Sequence, residues 1–145
     1  MKAALVAAAA VIVSMVPLSG TSYAASCSGA GCDNKGPKAT GCREDATTVK
    51  KADDNFHRVE LRWSTTCMAG WVRGSHVTSG SDWWPKYAHI EKRAAPSTSS
   101  PVLKDLYVKI PDNSGSDWSN MLGGNNYYYR ACLEDNGDLT CTGFF

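Results

Sequence analysis

Past its first two dozen residues the chain has no excess of either charge, no C-x2-C cysteine pair and no short catalytic motif. Lys2 is one of 15 basic residues, and the other 14 are matched by 14 acidic ones, with no run of like charge. Such a balance offers little electrostatic hold on nucleic acid or on an anionic membrane surface. Zinc sites read as short paired spacings such as C-x2-C, and none is present, so no metal and no other cofactor is expected. There is no Gly-x-Ser-x-Gly elbow, no Ser-x-x-Lys and no His-Glu-x-x-His. His57, His76 and His89 stand singly and far apart. These absences lean against an enzyme, although a Ser-His-Asp triad assembled from distant loops leaves no mark in one sequence.

The one long apolar stretch is at the start. Lys2 supplies a positive end, Ala3 to Leu18 is uncharged and mostly apolar, and Ser22-Tyr23-Ala24 sets small residues where a signal peptidase reads them. A membrane anchor needs about 20 apolar residues, and this stretch is shorter and broken by Pro17 and Gly20. A signal peptide over 1–24 is therefore expected, followed by one secreted domain over 25–145 with no membrane span left after cleavage. A chain of that size buries about two thirds of its unfolded surface, enough for a modest core without a metal.

All six cysteines, Cys27, Cys32, Cys42, Cys67, Cys132 and Cys141, fall in that domain. An even set in an exported chain implies disulfides, and with all six oxidised no thiolate remains as a nucleophile. Ser26 to Thr48 is rich in turn-forming residues and nearly empty of large apolar ones, so its three cysteines must tie it to something. Asp33, Asn34, Glu44 and Asp45 lack the alternation of a calcium loop and read as solvated turn residues. Adjacent Asp53 and Asp54 likewise read as a polar turn.

Two hairpins organise the rest. Val59, Leu61 and Trp63 alternate with Arg58, Glu60, Arg62 and Ser64, the pattern of a half-buried strand. Thr65 to Cys67 then turn the chain towards a second short strand at Trp71-Val72-Arg73, so two tryptophans and a disulfide are expected to seed one small core. The second hairpin has Asn136-Gly137 at its tip, the strongest two-residue hairpin signal. Counting outwards, Asp135 faces Asp138, Glu134 faces Leu139, Leu133 faces Thr140 and Cys132 faces Cys141. The cysteines then occupy a non-hydrogen-bonded site with Cα atoms about 4.5 Å apart, within disulfide reach. Cys42–Cys67 and Cys27–Cys32 are the expected partners among the remaining four.

Elsewhere Thr47 to Val49 and Tyr87 to Arg93 read as short strands, the latter with a helical turn as the rival. Val102 to Ile110 reads as a long strand with Val102, Leu106, Val108 and Ile110 on one side, and Asp117 to Leu122 as one helical turn. The fold expected is all-β, a small disulfide-stabilised barrel or sandwich of about six or seven short strands.

Candidate binding residues are the aromatics placed in loop sequence. Trp83 and Trp84 are consecutive, so if Trp83 is buried on a strand-like backbone Trp84 is exposed or in a groove, the rival being that both cover the end of a barrel or sandwich. Tyr127, Tyr128 and Tyr129 follow a Gly-Gly-Asn-Asn loop. Exposed aromatic rings suit a sugar ring, a peptide or a partner protein. The first functional expectation is an extracellular binding module for cell-wall glycan or another surface or secreted molecule. The alternative is a secreted inhibitor of a protease or other enzyme, presenting Ser75 to Ser81 or Ala94 to Pro101 as a rigid loop.

Three blocks, GAGCDNKGPKATGCREDATT (Gly29 to Thr48), VELRWSTTCMAGWVR (Val59 to Arg73) and RACLEDNGDLTCTG (Arg130 to Gly143), carry a resemblance. In that order the chain resembles the small exported actinobacterial proteins called YjfA-like, a domain of unknown function. Trp63, where relatives often carry tyrosine, and Gly36-Pro37, where Asp-Pro is common, depart from the pattern. The resemblance implies no activity or site residue. Related domains form the outer part of proteins with a cytoplasmic helix-turn-helix segment, which implies sensing or binding outside the cell.

Overall fold

The alternating stretch forms strand β2 (His57–Ser64), which pairs antiparallel along its whole length with β3 (Ala69–His76) in a computed structural model of the chain. The described residues are 24–78, 86–112 and 115–145. Trp83 and Trp84, and nearly all of the stretch expected as a signal peptide, lie outside them. Among the described residues no helix is long and apolar enough to cross a membrane.

Strand β1 (Thr47–Asp53) lies on the far edge of β2, and β6 (Ser116–Trp118) and β7 (Leu122–Gly123) share the far edge of β3. A second sheet has the order β5 (Val102–Lys109), β4 (Tyr87–Arg93), β8 (Tyr128–Asp135), β9 (Asp138–Cys141). Both sheets are antiparallel and open-edged, so the fold is a sandwich and not a closed barrel. The nine strands among the described residues exceed the six or seven expected, because β6 and β7 replace the expected helical turn. The physical reason is the free edge of β3: its backbone groups need partners, and Val72 N and O bond Ser119 Oγ and N at 3.2 and 3.0 Å. Three further expectations shift. β1 runs on through Lys50 to Asp53, the stretch read as a polar turn, because these residues pair with Leu61 to Arg58. β3 spans eight residues rather than three. Register slips between Lys92 and Arg93, which pair with Lys104 and Val102. That bulge leaves Val102 exposed while Leu106, Val108 and Ile110 turn inwards.

The main core fills the space between the sheets with Val59, Leu61 and Val72 against Ala88, Ile90, Ala131, Leu133 and Ile110. Gly74 makes the close approach possible, since a Cβ there would sit 2.7 Å from Ile110 Cγ1 and 3.0 Å from Ala88 Cβ. Trp63 packs on this core, but Trp71 does not. Successive side chains on a strand face opposite ways, and Trp71 pairs with Arg62 while Trp63 pairs with Gly70. The expected single core is therefore two. Trp71, 3% exposed, packs on the outer side of the first sheet with Ala69, Met121, Cys32, Cys42 and Cys67.

That second core is roofed by the apolar-poor segment 25–46. A 3-10 turn (Gly29–Cys32) starts it, and backbone bonds Gly29 N to Cys67 O, Asn34 N to Met121 O and Met121 N to Lys35 O dock it. Asp45 accepts from Ser64 Oγ at 2.5 Å and Thr66 N at 2.8 Å, fastening the β2–β3 turn. The three disulfides are Cys27–Cys32, Cys42–Cys67 and Cys132–Cys141, as expected. The last hairpin holds the counted register pair for pair, with Asn136 at φ 49° and Gly137 at φ 93° in its tip.

Candidate functional site

At one end of the sandwich the β2–β3 turn, the β7–β8 loop, the end of β4 and the C-terminal tail converge on a cleft of about 570 Å³. Its lining holds Trp63, Tyr127, Tyr128, Tyr129 and Phe145, with Met68, Ala94, Gly124, Asn125 and Asn126. Trp63 reaches this end because the residue opposite is glycine: a Cβ on Gly70 would stand 2.8 Å from the indole. The indole lies 5.2 Å, ring centre to ring centre, from both Tyr129 and Phe145. Phe145 is held by paired backbone bonds, its N and O bonding Tyr129 O and N at 2.9 and 3.0 Å.

The three tyrosines differ. Tyr129 is 1% exposed and is part of the core, its hydroxyl donating to Gly124 O at 2.8 Å. Burial pushes its phenol pKa well up, with the negative charge of Asp33 adding to it, so the hydroxyl stays a neutral donor. Tyr127 and Tyr128 are each 39% exposed and offer ring surface to solvent. Behind Tyr127 the buried Lys92 ammonium sits 4.1 Å from the ring centre and donates to Gly123 O at 2.5 Å.

Of the expected binding residues, the structure thus brings Tyr127, Tyr128 and Tyr129 together in one cleft, while Trp83 and Trp84 lie outside the described residues. Trp63, Phe145, Asn125, Asn126 and Lys92 escaped the sequence reading. Trp63 reads from alternation alone as core, and only the opposing Gly70 hints that its ring has room to spread towards the strand end.

Two other clusters hold chemically capable groups. On the outer face of the second sheet, Glu91 accepts from Arg93 Nε at 2.8 Å, from Arg130 Nε and Nη2 at 2.8 and 3.2 Å, and lies 3.3 Å from His89 Nε2. All four residues are buried; Tyr107 lies 4.6 Å over His89 and Phe144 5.3 Å over the Arg130 guanidinium. Burial raises the Glu91 pKa, but the hydrogen bonds of Arg130 and Arg93, the charge of Arg130 and the bond from His89 outweigh it and hold it at about 2. A carboxyl so acidic has no proton to give near neutral pH and is a feeble base. The second cluster is a polar cleft of about 530 Å³ lined by Arg58, Arg73, Ser75, His76 and Ser116 among others. Arg58 there is bound to Asp53 at 2.6 Å and Arg73 to Glu60 at 3.5 Å. The His76 ring rests 4.4 Å from that of His57 and makes no hydrogen bond to either serine.

Fold and site together define a small disulfide-stapled β-sandwich with an aromatic cleft at one end. The chain belongs to the family described as Protein of unknown function (DUF2690), whose model matches residues 30–132. That span runs from the 3-10 turn into β8 and includes every cleft residue except Phe145. No curated protein and no solved structure matches the chain.

Proposed function

We propose that this protein is an exported binding module whose end cleft takes a sugar ring of a cell-wall or cell-surface glycan. The observation that carries the reading is the makeup of the cleft: among the described residues its lining holds five aromatic residues and two asparagines and no aspartate, glutamate, histidine, serine or cysteine. Aromatic faces receive the apolar C–H face of a sugar, and amides both donate to and accept from its hydroxyls. Cleaving a glycosidic bond takes a pair of carboxylates, so the same makeup favours holding a glycan over hydrolysing one. The residues 1–24, the three disulfides and the resemblance to the YjfA-like proteins support export, since disulfides persist in oxidising surroundings.

The test is co-sedimentation of the oxidised protein with purified cell walls, compared among wild type, Tyr127→Ala, Tyr128→Ala and Trp84→Ala. Retention that falls about tenfold in either tyrosine variant, with an unchanged melting temperature, locates the ligand in the cleft. Equal retention in wild type and both tyrosine variants removes the cleft from the reading, and no retention of wild type removes the wall as the ligand.

One observation favours the inhibitor reading as the alternative. The loop Ala94 to Pro101 is held from beneath, the Arg93 guanidinium donating to the carbonyls of Thr98 and Ser100 while Thr98 and Ser99 stay exposed. A loop so braced binds without a large ordering cost. A panel of secreted proteases left fully active by excess protein discards it.

A further inference from the structure

The two disulfides of the N-terminal segment are neighbours. The sulfurs of Cys27, Cys32, Cys42 and Cys67 all lie within 4.8 Å of one another, and Cys27 Sγ is 3.7 Å from Cys42 Sγ across the pair of bonds. In a tetrahedral zinc–thiolate centre Zn–S is about 2.3 Å, which puts the sulfurs about 3.8 Å apart. We infer that the reduced chain binds one zinc ion through these four cysteines, in the place that the two disulfides occupy after oxidation.

Three features support the site. The backbone that positions the sulfurs is held by bonds other than disulfides: Ser26 N to Thr40 O at 3.0 Å, Gly29 N to Cys67 O at 2.7 Å, and Gly123 N to Asp33 Oδ1 at 2.7 Å. The sulfurs therefore stay gathered when the S–S bonds open. Cys32, Cys42 and Cys67 are fully buried against Ala69, Trp71 and Met121 and Cys27 is half-buried, so three of the four ligands a closed structural zinc site needs are out of reach of water. Thr40 Oγ1 lies 3.1 Å from Cys42 Sγ, with its one proton also in reach of the Gly36 and Pro37 carbonyls at 3.0 and 3.3 Å, so it is placed to turn its donor onto a ligating thiolate. Thiolates select zinc over calcium or magnesium. A further group, His89, Glu91 and Cys132, is spatially close but unsuited, because it offers three ligands rather than four and Glu91 is taken by two arginines.

The exchange balances. Opening both disulfides takes four electrons from two equivalents of a dithiol or phosphine and yields four thiols, the four protons coming from the dithiol itself or, with a phosphine, from two waters whose oxygens end in the phosphine oxide. Zinc then replaces up to four thiol protons, which pass to solvent. Reoxidation by two equivalents of a small-molecule disulfide passes four electrons from the thiolates to that oxidant, which leaves as four thiols, re-forms both S–S bonds and expels the ion. Every newly made chain carries thiols until it is oxidised, and in that state zinc would hold the segment 25–46 on Trp71 in its oxidised-state position.

The experiment reduces the whole protein with a phosphine under anaerobic conditions and titrates it with Co²⁺, then with Zn²⁺. The expected result is one Co²⁺ per chain, with the intense charge-transfer and visible bands of tetrahedral thiolate coordination, displaced by zinc. Cys132→Ser with Cys141→Ser leaves those bands intact, and Cys27→Ser with Cys32→Ser abolishes them. Folding is read separately: zinc raises the melting temperature of the reduced wild type and restores the Trp fluorescence of the oxidised form. Absence of tetrahedral bands in the reduced wild type overturns the inference. So does their survival in the Cys27→Ser, Cys32→Ser variant, or zinc binding with no rise in melting temperature.

Discussion

Glu91→Gln removes the negative charge that Arg93 and Arg130 share while keeping the shape of the side chain. Arg93 and Arg130 are 6% and 9% exposed, so the variant leaves both buried with no carboxylate in place of Glu91. A carboxyl whose pKa falls from 4.5 to about 2 on folding adds about 3 kcal/mol to stability at neutral pH. Breaking one side of a buried ion pair costs a similar 3–5 kcal/mol or so. The direction with pH follows from the depressed value. The stabilisation is complete above the unfolded pKa of 4.5 and drains away as pH falls towards about 2, more than half of it gone by about pH 3. Urea unfolding of wild type and variant, disulfides intact, at pH 7 and pH 3 is the assay. At pH 7 the variant midpoint is expected about 2 M lower, and the gap in stability narrows by about 2 kcal/mol at pH 3. Taking the difference between the proteins cancels every other titrating carboxylate. Equal midpoints at pH 7, or a gap that does not change between the two pH values, would refute the reasoning.

Other consequences are as direct. Gly74→Val forces a side chain into Ile110 and Ala88 where the sheets approach, and is expected to cost about 1–3 kcal/mol or more, read as a lower melting temperature. Trp71→Ala hollows the second core, at a cost of about 3–5 kcal/mol, and limited proteolysis should then cut within 25–46 before any strand is lost. Replacing Cys42 and Cys67 by serine opens a loop with sequence separation 25, against 9 for Cys132 and Cys141. Chain entropy puts the losses at about 3.5 and 2.7 kcal/mol; a larger loss for the short loop, by denaturant titration, would count against that ordering.

How much of this was legible varies from element to element. The Asn136-Gly137 hairpin was readable in full, because a two-residue turn sets the register and each pair outwards follows by counting. The inward face of β2 was readable for the same local reason, a period of two. Trp71 was not, because β3 is buried on both faces and only the docked segment 25–46 makes its outer side an interior. β6 and β7 were hidden too: Asp117 and Trp118 join β6 and Leu122 joins β7 because β3 has an unpaired edge beside them.

The candidate site divides along the same line. Tyr127 to Tyr129 were legible as a cluster because they are neighbours in the chain. Their meeting with Trp63 and Phe145 was not, since alternation says which face a residue takes but not which segments converge at its end. Apart from Cys27 and Cys32, which are separated by four residues, these cysteines are far apart in the chain and conceal four sulfurs that the fold gathers within 4.8 Å. What the sequence determined by itself is whatever depends on a few consecutive residues: strand alternation, turn type, the register of one hairpin and the even set of cysteines. Only the tertiary structure decided the second core, the aromatic cleft and the sulfur cluster, because burial and proximity there are set by segments distant in the chain that pack together only when both sheets have formed.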